Sequence, residues 1–195
     1  HLSYPYLFQE NGKTYCVPES LSANEIALYE AVQFPGEWKK ACTLVSAFKG
    51  VDATLFKWNG KYWLTCTNED DNPRTNLFLF HSDSLVGPYI AHVLNPVKTD
   101  IRSARPAGTP FEINGRLYRP AQDCSKTYGG AIVLNEITTL NESAFSENAV
   151  RTLGPLPGTA FSAGMHTLSK SGDYTLVDGK VHRFNPYAFL REKSL

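Results

Sequence analysis

The sequence contains no long apolar run. Nothing in it approaches the roughly 18 consecutive apolar residues that read as a membrane span, and no stretch reads as a secretory signal. Neither sign of charge is in excess: 19 Lys and Arg stand against 19 Asp and Glu. That balance argues against nucleic acid as the main partner, because binding to it leaves a basic footprint. Cysteines are few (Cys16, Cys42, Cys66 and Cys124), and none forms a Cys-x-x-Cys pair. A zinc site is therefore disfavoured, and no metal or other cofactor is expected. Cys16 and Cys66 lie in apolar contexts and read as small buried hydrophobes. Free thiols suit a reducing compartment such as the cytoplasm. Sustained helical periodicity is also missing; the stretch 140–148 alone suggests a short helical turn. Asn141-Glu142-Ser143 matches a glycosylation sequon, a triplet common by chance.

What is present is a repeat. Hydrophobic residues make up 42% and aromatic residues 12% of 195 residues, enough for one folded domain with a core. Four times the chain writes an apolar run, a tight turn and an aromatic run. Tyr6-Leu7-Phe8 leads through Asn11-Gly12 to Tyr15, and Leu55-Phe56 leads through Asn59-Gly60 to Tyr62-Trp63. Phe111 leads through Asn114-Gly115 to Tyr118, and Leu168 leads through Ser171-Gly172 to Tyr174. Successive turn glycines are 48, 55 and 57 residues apart. Asn-Gly between apolar runs signals a type I′ hairpin, whose two central residues need positive φ. A hairpin returning at about 40–50 residues is the sequence sign of propeller blades.

Each repeat extends to a unit of four short strands. The first unit covers 3–48, with strands predicted at 4–8, 14–17, 25–31 and 38–45. The second covers 51–97, with strands at 53–57, 62–67, 76–82 and 89–92. The third covers 103–153, with strands at 108–113, 117–120, 131–137 and 149–153. A fourth is incomplete, with strands at 165–169, 174–177 and 181–184. The fold class is all-β, a β-propeller forming a single domain over 1–195. Because the chain opens at His1 directly on a strand, that domain is expected to be incomplete at its N-terminus. The competing architecture is a β-sandwich of hairpins, which rarely repeats in sequence.

In a blade the innermost strand lines the channel and the Asn-Gly turn reverses it. The start of the first strand and the end of the second therefore share one end of the ring. Polar residues collect at both places. Strand starts carry Tyr4, Asp52, Arg102, Arg105 and His166; strand ends carry Glu19 and Asp123. Convergent polar groups in a concave site are the usual sign of binding. Asp52, Glu19 and Asp123 are the candidate catalytic carboxylates, and Arg102, Arg105, His166 and Tyr4 the candidate substrate contacts. Each has a plainer reading. Asp52 caps a turn, Glu19 is solvated, Asp123 bonds a turn, and His166 is a satisfied core histidine. Glu69-Asp70-Asp71 reads as a solvated loop, and Trp38, Trp58 and Trp63 as core.

The second unit carries a resemblance. Val51-Asp52-Ala53-Thr54-Leu55-Phe56-Lys57-Trp58-Asn59-Gly60-Lys61-Tyr62-Trp63-Leu64 resembles the first hairpin of family-43 glycoside hydrolases. Phe80-His81-Ser82-Asp83-Ser84-Leu85-Val86-Gly87-Pro88-Tyr89 resembles their outer-strand phrase. Those enzymes are five-bladed propellers of the arabinanase, invertase and levansucrase type, so the resemblance implies five blades. The phrases Val-Asp-Ala-Thr-Leu-Phe, Ser-Ala-Arg-Pro-Ala-Gly and Arg-Pro-Ala-Gln-Asp-Cys are more specific. They are similar to the non-glycosyltransferase part of plant glucosamine inositolphosphorylceramide transferases, and to modules accompanying formyltransferase-like domains in bacteria. A working hydrolase of the family-43 type implies a base, a pKa-tuning Asp and a general-acid Glu. Asp52 matches the tuning position. Ser3-Tyr4-Pro5 stands where the base would be, and Arg105-Pro106-Ala107-Gly108 where the acid would be. Arginine stays protonated and cannot act as the acid, so two-carboxylate hydrolysis lacks its standard residues.

Three readings follow. The first is a carbohydrate-active propeller that binds or processes a saccharide or glycoconjugate in an axial pocket, with Glu19 or Asp123 as acid or base. The second is a non-catalytic recognition module fused to a glycosyl- or formyltransferase. The third is a protein-interaction propeller that uses its flat faces.

Overall fold

The structure, a computed structural model, describes residues 3–171 and 173–182. Four antiparallel sheets follow one another along the chain. The first holds β1 (Ser3–Glu10), β2 (Lys13–Glu19), β3 (Glu25–Gln33) and β4 (Glu37–Ser46), in that spatial order. The second holds β5 (Gly50–Trp58), β6 (Lys61–Asn68), β7 (Asn76–Ser82) and β8 (Ile90–Ala91), and β9 (Lys98–Thr99) also pairs with β7. The third holds β10 (Phe111–Ile113), β11 (Arg116–Asp123), β12 (Ala131–Leu140) and β13 (Phe145–Leu153). The last is the hairpin of β14 (Leu168–Ser171) and β15 (Tyr174–Val177).

The Asn-Gly turns do what their chemistry requires. Asn11, Asn59 and Asn114 have φ of 51°, 48° and 50°, and Gly12, Gly60 and Gly115 have φ of 75°, 81° and 76°. Positive φ at both central residues defines the type I′ turn, whose twist matches that of the strands it joins. The flanking pairs Glu10–Lys13, Trp58–Lys61 and Ile113–Arg116 confirm two-residue loops. The predicted turn at Gly172 lies outside the described residues.

The sheets pack face to face, and side-chain alternation shows how. Ala53, Leu55, Leu64, Cys66, Phe78 and Phe80 of the second sheet pack on Tyr6, Val17, Ile26 and Leu28 of the first. The intervening Phe56, Trp63 and Leu79 pack on Leu117, with Ile137 and Phe145, of the third. Successive residues of a strand point to opposite faces, so the second sheet is buried on both sides. Every residue of β7 is accordingly buried. A third cluster joins Ile132 to Ala107, Met165 and Leu168, where the third sheet meets the last hairpin. Four-stranded antiparallel sheets stacked in this way are propeller blades.

Several predicted boundaries shift, each for a physical reason. The outer strand expected at 89–92 is split into β8 and β9. Between them the Asn95 side chain stands in for backbone: its Oδ1 accepts from the Leu79 N–H at 2.8 Å, and its Nδ2 donates to the Leu79 carbonyl at 2.8 Å. The neighbouring Pro96 has no N–H with which to continue a ladder. The helical turn expected at 140–148 is instead a hairpin turn, since β12 reaches Leu140 and β13 begins at Phe145. There Asn141 Oδ1 accepts from the N–H groups of Ser143 and Ala144 at 3.0 and 2.9 Å. Such a local bond competes with helix. The strand expected at 108–113 begins at Phe111, after Pro110. Val181 and His182 form no strand, and the rest of the stretch expected at 181–184 lies outside the described residues.

Gly108 holds the last hairpin against the third sheet. Its φ is 137°, and a Cβ there would come within 1.9 Å of the Leu168 carbonyl oxygen. Beside it the Leu168 N–H donates to the Ala107 carbonyl at 2.7 Å. Gly108→Ala is expected to cost about 1–3 kcal/mol through overpacking against rigid backbone. Urea unfolding measures it, and a midpoint equal to wild type would show that the two segments do not touch.

Candidate functional site

Two backbone irregularities build one end of the molecule. Pairing slips between Ser3 and Tyr6 in β1, and between Val51 and Thr54 in β5. Each slip is a bulge at the start of a first strand, and each holds a non-glycine residue at positive φ: Tyr4 at 40° and Asp52 at 50°. Bulges re-aim side chains next to functional sites, and non-glycine residues at positive φ cluster at such sites. Tyr4 and Asp52 are thus equivalent positions in successive blades.

Asp52 sits at the centre. It is 4% exposed. Its Oδ2 accepts from Arg105 Nε at 2.6 Å and from Gln122 Nε2 at 2.9 Å. Gln122 is itself fixed, donating to the Pro106 carbonyl at 2.9 Å. Glu19, at the end of β2, accepts from Ser3 Oγ at 2.7 Å and from the Asp52 backbone N–H at 3.3 Å. The guanidinium of Arg105 lies 5.0 Å from the ring centre of Tyr128 and also reaches the Pro73 carbonyl at 3.3 Å. Tyr128 meets His166 edge to face, with ring centres 5.4 Å apart. Asp178 grips His166: one oxygen bonds Nδ1, and the other accepts the His166 and Thr167 N–H groups at 2.8 and 2.7 Å. Tyr4 shares a hydroxyl contact with Thr54 at 3.2 Å.

Burial sets the electrostatics. It pushes the Asp52 carboxyl above the ordinary aspartate value, with Arg105 opposing and the Glu19 charge adding to the rise. Burial also works against the charge of Arg105, but Asp52 more than offsets it and holds the guanidinium protonated. The phenols of Tyr4 and Tyr128 are raised by burial first and by the Asp52 charge second. Burial opposes the charge of Asp178, but the N–H groups of His166 and Thr167 outweigh it and lower its pKa.

Five of the seven residues expected at this end converge: Tyr4, Glu19, Asp52, Arg105 and His166. Two do not. Arg102 is exposed in a turn where its N–H bonds Asp100 Oδ1 at 2.9 Å. Asp123 turns to its own loop, accepting from Ser125 N–H at 2.9 Å and Ser125 Oγ at 2.6 Å. Strand alternation explains the exchange. Gln122 and Asp123 are neighbours on β11, so only one can face Asp52, and it is the fully buried Gln122. Tyr128 and Asp178 were also absent from the sequence reading. Tyr128 had a faint signal as an aromatic residue before Gly129-Gly130; Asp178 had none.

Among the described residues, surface hollows lie elsewhere. One of about 450 Å³, on the face of the first sheet turned away from the second, is lined by apolar groups such as Pro5, Leu7, Phe34 and Trp38. Two more, of about 350 and 210 Å³, adjoin at the seam between the second and third sheets. Among the described residues no helix is long and apolar enough to cross a membrane.

The family described as "Glucosamine inositolphosphorylceramide transferase 1, N-terminal" matches residues 1–155. The chain belongs to this family. Members of the transferase N-terminal family with a curated description include the glucosamine inositolphosphorylceramide transferase 1 proteins of Oryza sativa subsp. japonica and Arabidopsis thaliana. They are 35% and 34% identical over 152 residues, covering 75% of this chain. The chain spans about a fifth of the length of these curated relatives, 20% in each case. In fold, this member of the transferase N-terminal family is similar to glycoside hydrolases of family 43. The Bacteroides ovatus xyloglucan PUL GH43B has a TM-score of 0.61 at 18% identity, over 90% of this chain and 35% of that one. An α-L-arabinofuranosidase from Clostridium thermocellum has a TM-score of 0.62 at 13% identity, over 93% and 64%. The fold is therefore a β-propeller of the family-43 type, here carried by a glycosyltransferase-associated family.

Proposed function

We propose that this propeller recognises a saccharide or glycoconjugate at the cluster of Glu19, Asp52, Arg105, Tyr128 and His166, as a binding module attached to a glycosyl-transferring domain. The observation that carries the reading is the Asp52–Arg105 pair. Asp52 is buried and its Oδ2 accepts from both Arg105 and Gln122, so it ties these two side chains together. Arg105, where a hydrolase of this fold would need its acid, is permanently charged and committed to that carboxylate. What the cluster presents outward suits polyhydroxylated ligands. Tyr128 is 37% exposed and offers a ring face edge. Glu19 is half-buried and accepts hydroxyls, and His166 has Nδ1 held by Asp178, which leaves Nε2 for a ligand. The relatives' name and the glycosidase-like fold support a sugar-bearing ligand.

Calorimetric titration with glucosamine, and with the glycerophosphoinositol headgroup, tests this. Tyr128→Ala and Glu19→Gln should each weaken binding about tenfold, equivalent to about 1.4 kcal/mol, with circular dichroism unchanged. Binding that ignores both changes would remove the cluster from the site. Turnover of aryl glycosides that disappears in Glu19→Gln would replace the binding module with a hydrolase.

A further inference from the structure

The seam between the second and third sheets holds a second polar hollow that the Asp52 cluster does not explain. Asp52 and Trp58 are six residues apart on β5, which places them about 20 Å apart at the rise of a strand. The hollow of about 350 Å³ is lined by Trp58, Asn59, Lys61 and Trp63 from the β5–β6 hairpin. From the β12–β13 turn it takes Leu140, Asn141, Glu142 and Ser143. Its size falls within the range of about 300–1,000 Å³ typical of small-molecule sites.

Its walls are fixed by contacts that cross the seam. Trp63 is 2% exposed, and its indole N–H donates to the Trp58 carbonyl at 3.3 Å. The Asn141 carbonyl bonds His92 Nε2 at 2.9 Å, while His92 Nδ1 accepts the Leu94 N–H at 3.1 Å. Because Nδ1 is an acceptor, the proton sits on Nε2 and the imidazole pins the turn to the second sheet. Lys61 bonds Glu142 at 2.7 Å and also contacts Asp83. The same Lys61 and Glu142 line the adjoining hollow of about 210 Å³, with His81, Ser84 and Pro88. One ion pair therefore stands between two linked hollows.

The chemistry on offer is a half-buried indole, amide donors, an ammonium and a carboxylate. Asn141 commits its Oδ1 to its own turn, and its Nδ2 makes no hydrogen bond among the described residues. The positive charge of Lys61 is more than matched by Glu142 and Asp83, which removes any preference for anions. An aromatic face beside balanced donors and acceptors suits a neutral ring that is apolar on its faces and hydroxylated at its edges. We infer that this seam is a neutral-saccharide subsite, separate from the Asp52 cluster and independent of it.

The test is a site-resolved titration of the whole chain by NMR with xylotriose, β-1,3-galactotriose and glucosamine. Binding at the seam should shift the Trp58 indole and Asn141 side-chain amide signals, with a Kd on the order of 1 mM. Glu142→Ala, an exposed change without folding risk, should weaken it at least several-fold, and Trp58→Ala should abolish it. If all shifts fall on the Gln122 amide and Tyr128, the seam proposal fails while the Asp52 site stands. If they fall on Trp58 and Asn141 alone, the seam stands and the Asp52 site fails. No shift at Trp58 with either neutral trisaccharide overturns the seam, as does an Asn141 amide shift that survives both variants.

Discussion

Arg119→Ala should lower the free energy of unfolding by about 3–5 kcal/mol, the cost of leaving a buried charge without its partner. Arg119 lies on β11 and is fully buried. Its Nε and Nη2 hold both oxygens of Glu147 at 2.8 and 2.6 Å. The same guanidinium donates to the carbonyls of Ser103 and Ala104 at 2.6 and 3.0 Å. The Glu147 side chain is 2% exposed, and without Arg119 it keeps only Lys98, at 2.7 Å. Burial alone would raise the Glu147 pKa, but Arg119, then Lys98, hold it below the ordinary value. A depressed carboxyl stabilises above its unfolded pKa, and that stability is lost as pH falls through the folded value. The deficit of the variant should therefore be largest at neutral pH and shrink in acid. Urea unfolding at both conditions measures it; a loss below about 1 kcal/mol at neutral pH would mean an ordinary surface contact. Replacing Arg119 and Glu147 together by Met should restore only part of the stability: no charge is stranded within the pair, but the Ser103 and Ala104 carbonyls and Lys98 lose their partners. The consequence reaches the site, since Ser103 and Ala104 directly precede Arg105. Arg119→Ala should weaken ligand binding at the Asp52 cluster even where the chain stays folded.

The hairpins were legible because their signal is local. Asn-Gly at 11–12, 59–60 and 114–115 dictates a backbone conformation with no help from tertiary structure, and the repeat period then follows by counting. Site positions were legible where a blade's geometry alone places them, as with Asp52, Glu19 and Arg105. What the sequence concealed depends on contacts between distant segments. The bulges at Tyr4 and Asp52 exist because the first two strands of the first and second blades slip against each other, and no residue pattern marks that slip. Gln122 and Asp123 are adjacent polar residues, and choosing between them needs the register of β11 against β12. Asp178 reaches His166 from twelve residues on, after a turn that carries no motif. The split outer strand turns on the side chain of Asn95 taking the place of backbone. Polarity was thus readable, but its direction was not: Arg102 and Arg105 look alike in sequence, yet one lies in solvent and the other on Asp52.

Arg105→Ala should destabilise the protein by about 3–5 kcal/mol at neutral pH, again by stranding a buried charge. Here the pH dependence identifies the cause. Burial holds the Asp52 pKa above the ordinary carboxyl value, and Arg105 is the main group opposing that rise. A carboxyl whose folded pKa is raised leaves the protein most stable in acid, where it is protonated, and costs stability as pH rises from the unfolded value through the folded one. Without Arg105 the folded pKa climbs further and the cost at neutral pH grows. The difference between variant and wild type should therefore narrow as pH falls through the raised folded values, and it should be smallest below the unfolded carboxyl value, where Asp52 is neutral folded and unfolded. Asp52→Asn provides the contrast. Its amide oxygen still accepts from Arg105, and no carboxyl remains to titrate, so any deficit it shows should lack this pH dependence. Urea unfolding of the three proteins across the acid to neutral range decides the matter. Parallel curves for wild type and Arg105→Ala would show that Asp52 does not depend on Arg105 for its charge. A converging pair, with Asp52→Asn lacking the convergence, would assign the coupling to these two side chains. In that case Tyr128 loses the cation against its ring as well, and saccharide affinity at the cluster should fall in Arg105→Ala by more than in Tyr128→Ala.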